Sequence, residues 1–410
     1  DYEVTLPAGY IVAGTGLLHN PLEVLTAAQR SRLAAAVKSD SISHIVTEDE
    51  LTSGAARTRK DGTLTWRFRA ENVRDVAWAA SPEYLWDASG WQGILAQAYY
   101  RPSAKNTWKD AADMSRFSIQ EYSTRWMPYP YPQISAVEGP VSGMEYPMVA
   151  MEAMDNTKEG LYSVMTHEIG HMWYPMVVGS DERRYAWMDE GFNTFINIFS
   201  EEGYFKRDDT RRRKGEAMFA LGNDQVPTAQ PIMTYANRYR TDGNLGSLAY
   251  IKPALALSTL RAKVLGTEVF DEAFREYTRR WAFKHPQPAD FFRTIEDVSG
   301  RDLDWFWREW FYTTAALDQG IESVSQTQGG GSNQVQVVIR NAGQQVMPVE
   351  LQLTFKDGST RIYRYPVEIW YKGDKYTADI TAEQLVTSAI VNPDGQFPDV
   401  APGNNAWKAP

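Results

Sequence analysis

The run His167-Glu168-Ile169-Gly170-His171, followed after eighteen intervening residues by Glu190, constrains the fold of this chain more than any other feature. Two histidines four positions apart meet only on a helix, where i and i+4 share a face and Glu168 lies about 100° further round the axis. Glu190 then has to return to the same point from a second helix. Two histidines and a glutamate with an open fourth position are the ligand set of a catalytic zinc ion, and Glu168 stands where a base beside that position would stand. The spacing therefore predicts one Zn2+ held by His167, His171 and Glu190.

The pentapeptide alone also occurs on ordinary amphipathic helices, as a solvated face. Here the chain has five histidines, and two of them are in this run. The flanks are apolar: Leu161, Val164, Met165, Ile169, Met172 and Trp173 around the first helix, and Phe192, Phe195, Ile196 and Phe199 after Glu190. A charged cluster in such surroundings needs a partner, because an unpaired buried carboxylate is very costly.

At 410 residues the chain exceeds one ordinary hydrophobic core, and its 43% hydrophobic and 13% aromatic content suits two or three domains. A formal net charge of −10 argues against nucleic acid as a partner, since phosphate binding needs a concentrated basic surface. The basic run Arg211-Arg212-Arg213-Lys214 reads as a solvated helix face. Without cysteine there are no disulfides and no thiolate ligands. No segment approaches the roughly 20 apolar residues that span a bilayer. The chain begins at Asp1 with no signal-peptide pattern, which fits a mature or trimmed product and hence a periplasmic or secreted location.

Along the chain, strand character marks the first hundred residues (Tyr2 to Leu6, Tyr10 to Ala13, Leu64 to Phe68, Val76 to Trp78), with one helix near Thr26 to Lys38. From about Lys105 the period turns helical, interrupted by the linker Pro128 to Pro132 and a strand at Ile134 to Val137. The aromatic run Trp305 to Tyr312 reads as helix core rather than a glycan-stacking platform. After Gly320 alternation returns at Val335 to Ile339, Val349 to Phe355 and Val367 to Trp370, which predicts a small β-sandwich with turns at Gly329 to Ser332 and Asp357-Gly358. The expected fold is thus α+β and multidomain: an incomplete N-terminal β-domain over 1–102, a mostly helical zinc domain over 103–317, and a β-sandwich over 318–410.

Four separated motifs, His167 to Trp173, Trp187-Met188-Asp189-Glu190-Gly191-Phe192, Gly143-Met144-Glu145 and Tyr250-Ile251-Lys252, together resemble the aminopeptidase N family of zinc metallopeptidases, with its thermolysin-like, gluzincin catalytic domain. The resemblance covers most of the chain. It implies that residues 1–102 correspond to the later part of the family's saddle-shaped β-domain. It implies that Glu145, with Gly143 and Met144, binds the free α-amine of a peptide, and that Tyr250 donates to the oxyanion. Peptides with a free N-terminus are then the partners. Departures from the family pattern are Tyr146 for Asn, Asp189 for Asn and Pro253 for Gly. By residue type alone Tyr235 and Tyr239 rival Tyr250, and Asp189 reads equally as an acceptor for a ligating histidine or as a helix cap. The resemblance implies a zinc aminopeptidase; a zinc endopeptidase and a catalytically weak peptide- or glycan-binding module are the alternatives.

Overall fold

The computed structural model describes residues 1–153, 157–208, 210–329 and 331–410, with the side chains of 210–213 outside the described set. The side chains of Arg211, Arg212 and Arg213, and the turn residue Gly330, therefore lie outside the described residues, while Lys214 is exposed. The chain folds into two compact units, one of Asp1–Glu182, Met188–Asp209 and Phe274–Gln287, the other of Arg183–Trp187, Thr210–Ala273 and Pro288–Pro410. It is a mixed helix-and-sheet, multidomain structure, as its sequence pattern predicts.

The first unit is organised by a six-stranded sheet of β1 (Ser43–Val46), β2 (Leu85–Trp91), β3 (Ile94–Tyr100), β4 (Gln133–Glu138), β5 (Met144–Tyr146) and β6 (Val149–Glu152), in the order β5-β6-β4-β3-β2-β1. Strands from before and after residue 102 thus share one sheet. Successive side chains alternate between faces. Tyr99, Val137 and Val149 join Trp86 and Phe68 in the N-terminal core. Their neighbours Ala98, Ala136 and Ala150, all buried and in register across three strands, make a flat surface of small residues on the other face. Helix α1 (Ala111–Arg125) packs there, against β2, β3 and β4.

Helices α2 (Lys158–Gly170) and α3 (Glu190–Phe205) pack on α1 and on each other. Thr157 starts α2 by accepting from the Gly160 amide. Buried hydroxyls then lock the three helices in register: Ser118 Oγ to Thr166 Oγ1 (2.9 Å), Thr166 Oγ1 to Ser200 Oγ (2.7 Å), and Tyr122 Oη donating to the Thr166 carbonyl (2.8 Å). Each hydroxyl satisfies another, so the cost of burying them is offset and the helix next to His167 is fixed in rotation.

In the second unit the aromatic run is core: Phe306, Trp307, Trp310 and Phe311 are buried, and Trp307 stacks on Phe292 at 4.5 Å between centroids. Strands β7 (Gln319–Gly329), β8 (Ser332–Asn341), β9 (Val349–Phe355), β10 (Thr360–Tyr365), β11 (Lys375–Ala382), β12 (Val386–Val391) and β13 (Ala406–Lys408) form two sheets, β7-β8-β11 and β10-β9-β12-β13. Val337, Leu351, Ile380 and Ala389 from both sheets share one core, the arrangement of a sandwich. Val367 to Trp370, expected as a strand, is instead part of a 3-10 turn, Val367–Lys372. Pro366 precedes it, and the i, i+3 spacing of buried Val367 and Trp370 puts both on one side of the tighter helix.

Candidate metal centre

His167 lies in the last turn of α2, His171 caps that helix, and Glu190 opens α3. The three meet. His167 Nε2 is 3.0 Å from Glu190 Oε2, His171 Nε2 is 3.3 Å from the same oxygen, and the two Nε2 atoms are 3.1 Å apart. Four-coordinate zinc with bonds of about 2.0–2.1 Å has ligand-to-ligand edges of roughly 3.3 Å, so this triangle has the size of one tetrahedral face.

The outer ring nitrogens decide which atoms face inward. His167 Nδ1 lies 2.8 Å from Asn197 Oδ1, and His171 Nδ1 lies 2.8 Å from the Tyr174 carbonyl. Both acceptors take an N–H, which leaves each Nε2 with its lone pair turned towards the other and towards Glu190. Three lone pairs at such distances repel unless a cation, or an added proton, sits among them. The site's electrostatics already favour positive charge: burial opposes protonation of His171, but Asp189 and Glu190 outweigh it and raise its pKa well above the ordinary value. Burial would likewise raise Glu190, yet His171 and His167 hold its carboxyl far below the usual range. The residues present fit a divalent ion.

Asp189 settles between the two roles open to it in the sequence. It makes no capping hydrogen bond through its side chain, and one oxygen lies 2.8 Å from His171 Nδ1, whose N–H is aimed at the Tyr174 carbonyl. It acts on that ring by charge rather than as its acceptor. Burial pushes the Asp189 carboxyl up to about 7, with His171 pulling the other way.

Glu145, in β5, pairs with Ala150 and so shares the helix-facing side of the sheet. Ligand atoms of Glu145, His171 and Asp189 lie within 4.8 Å of one another. Tyr146 faces the opposite side and packs on the N-terminal core. Gly143 has φ +69°, a backbone conformation that favours glycine, and it lies beside Glu168, whose Oε1 would be in ordinary contact, at 3.5 Å, with a Cβ built there. Glu168 is buried, and its Oε2 has no hydrogen-bond partner. Burial pushes its carboxyl up to about 7, moderated by His171 and His167 and reinforced by Glu145 and Glu190.

Tyr250 belongs to the second unit, half-buried on the wide helical stretch Gly246–Ile251, which runs into helix Lys252–Thr259. Pro253 is accommodated in the first turn of that helix. Lys252, fully buried, pairs with Asp224 at 2.8 Å and anchors the segment. Tyr235 is exposed.

Sequence reasoning missed three participants. Asn197 holds His167, Asn193 Nδ2 donates to the His167 carbonyl (2.7 Å), and Glu152 is fully buried on the helix-facing side of β6 with neither carboxylate oxygen partnered. The i, i+4 spacing of Asn193 and Asn197 among Phe192, Phe195, Ile196 and Phe199 was the available signal.

A helix bearing two histidines and a glutamate, closed by a carboxylate from the next helix over a mixed sheet, defines a centre of the metallopeptidase kind. The family comparison agrees. Residues 119–310 match the model of the peptidase family M1 domain, a likeness that supports the M1 aminopeptidase family. Similar proteins include aminopeptidase M1-D of Oryza sativa subsp. japonica, 24% identical over 229 residues (52% of this chain, 26% of the relative), and aminopeptidase N of Plutella xylostella, 25% identical over 225 residues (49% and 23%). The chain thus spans about a quarter of the length of these relatives. Its fold resembles the crystal structure of Legionella pneumophila aminopeptidase A in complex with aspartic acid, with a TM-score of 0.65 and 13% identity over 97% of this chain and 44% of that one.

Proposed function

We propose that this chain is a zinc-dependent aminopeptidase that hydrolyses the N-terminal residue from peptides with a free amine. The observation carrying the reading is the triangle of two imidazole nitrogens and one carboxylate oxygen at 3.0–3.3 Å, with Glu168 and Glu145 beside it. His167, His171 and Glu190 would hold one zinc ion. When bound, zinc supplies Lewis acidity, polarising the scissile carbonyl and acidifying water.

The chain's own groups do the rest. Glu168 takes a proton from the attacking water, whose oxygen bonds to the carbonyl carbon, and returns it to the departing nitrogen as the C–N bond breaks. Its buried position suits both halves of that task, because a carboxyl freed of strong solvation both takes and gives a proton readily near neutral pH. Glu145 pairs with the substrate ammonium, and an internal peptide leaves that carboxylate unpaired, which is the physical basis of exopeptidase action. Gly143 and Met144 lie beside it at the edge of the sheet, where an extended substrate can add its backbone as a further strand. Tyr250 enters on the resemblance of Tyr250-Ile251-Lys252 alone, as donor to the oxyanion.

The test is Glu168→Gln. The reading expects zinc content equal to wild type, with hydrolysis of an aminoacyl chromogenic substrate reduced at least 100-fold. Undiminished turnover refutes the base; loss of zinc together with turnover refutes its separation from the ligand set.

A further inference from the structure

The sheet face opposite the metal centre borders the N-terminal core. A cavity of about 280 Å³ opens there between the sheet and the N-terminal strands. Leu25, Leu33, Phe68, Trp86 and Leu95 are among the apolar side chains that line it. Its polar lining is already committed: Gln97 Nε2 donates to Gln133 Oε1 (3.0 Å), and Gln133 Nε2 donates to the Gly14 and Gly16 carbonyls (3.1 and 3.2 Å). Water inside would find few free partners, so the space favours an apolar occupant.

One lining group departs from this pattern. Arg30, on helix Ala27–Ala36, donates to the Leu25 carbonyl, and among the described residues no carboxylate lies within ion-pair distance of it. Arg32, two residues along, is instead held by both oxygens of Glu50 at 2.8 and 2.9 Å. The helix contains no acidic residue of its own. A guanidinium in an apolar wall is a ready partner for a planar oxyanion, which it can bind through two parallel hydrogen bonds. At the rim, Leu17 is 51% exposed, which extends the apolar surface outward.

We propose that this cavity binds an alkyl carboxylate of medium length, its chain in the apolar space and its carboxylate on Arg30. The volume is about twice that of a dry cavity that accepts one benzene, which corresponds to a chain of roughly ten carbons. Charge complementarity selects a carboxylate over an alcohol or a hydrocarbon of equal length. The site lies across the sheet from the metal centre, so occupancy is independent of zinc.

The experiment uses sodium decanoate below its micellar concentration, with calorimetric titration and thermal unfolding of the intact protein, with and without chelator. Wild type binds decanoate in the micromolar range and unfolds at higher temperature in its presence, equally in both conditions. Arg30→Gln weakens decanoate binding at least ten-fold while leaving 1-decanol binding unchanged, and Leu33→Trp, which fills the cavity, abolishes both. Aminoacyl hydrolysis is unaltered in Arg30→Gln, which also certifies its folding. Absence of binding to wild type overturns the proposal, as does equal decanoate affinity in wild type and Arg30→Gln. If Leu33→Trp does not fold, Leu95→Phe replaces it, and undiminished binding in a folded cavity-filling variant likewise refutes the site. Failure here leaves the zinc reading untouched, because its readouts are metal content and turnover.

Discussion

Glu152 offers the sharpest stability prediction. It is fully buried, both of its carboxylate oxygens lack a hydrogen-bond partner, and burial, with Glu168 adding to it, raises its pKa well above the ordinary 4.5. A carboxyl that holds its proton more tightly when folded contributes nothing unfavourable below 4.5. Above that value the unfolded chain releases the proton while the folded one retains it. Folding stability then falls by about 1.4 kcal/mol per pH unit until the folded carboxyl itself titrates. Glu152→Gln keeps the shape and removes the titration. In chelator, the variant should therefore gain on wild type as pH rises from 5.5 to 7.0, by at most about 2 kcal/mol, the ceiling that slope sets over a 1.5-unit interval. Urea unfolding of both proteins at the two pH values measures it. A difference that is the same at both pH values, or one that shrinks as pH rises, refutes the reasoning.

Two further substitutions probe the support of the metal site. Asn197→Ala removes the acceptor for His167 Nδ1 and should weaken zinc binding about 10- to 100-fold, read by competition with a chromogenic chelator; unchanged affinity would deny Asn197 its orienting role. Gly170→Ala places a Cβ 2.0 Å from Asn193 Oδ1, the residue that holds the His167 carbonyl, and should cost about 1–3 kcal/mol in unfolding free energy. A neutral effect would show that helices α2 and α3 can separate at this point.

Much of the fold could be read from local pattern. Thr26 caps helix Ala27–Ala36 with a capping box, and β8 and β9 alternate as half-buried strands do. The hairpin of β2 and β3 could not be read in this way. Both its faces are covered, Asp87, Ser89 and Gln97 are buried inside, and no apolar alternation remains to mark it. At the site, the i, i+4 histidines are brought together with Glu190 because helix geometry is local and regular. The role of Asp189 was not legible, because it depends on the Tyr174 carbonyl reaching His171 Nδ1 first, and the stretch Met172–Val177 leaves regular α-helix immediately after the motif. Nor was the placement of Glu152, which sits on the helix-facing side only through the register of β6 against β4 and β5.

The most direct test of the central claim compares one chromogenic peptide with its amine free and with the same amine acetylated, using zinc-loaded wild type and Glu145→Ala. The account predicts that wild type cleaves the free form on the order of 100-fold better in kcat/KM, and that Glu145→Ala narrows the gap by losing activity on the free form alone. Equal cleavage of both forms by wild type would contradict it.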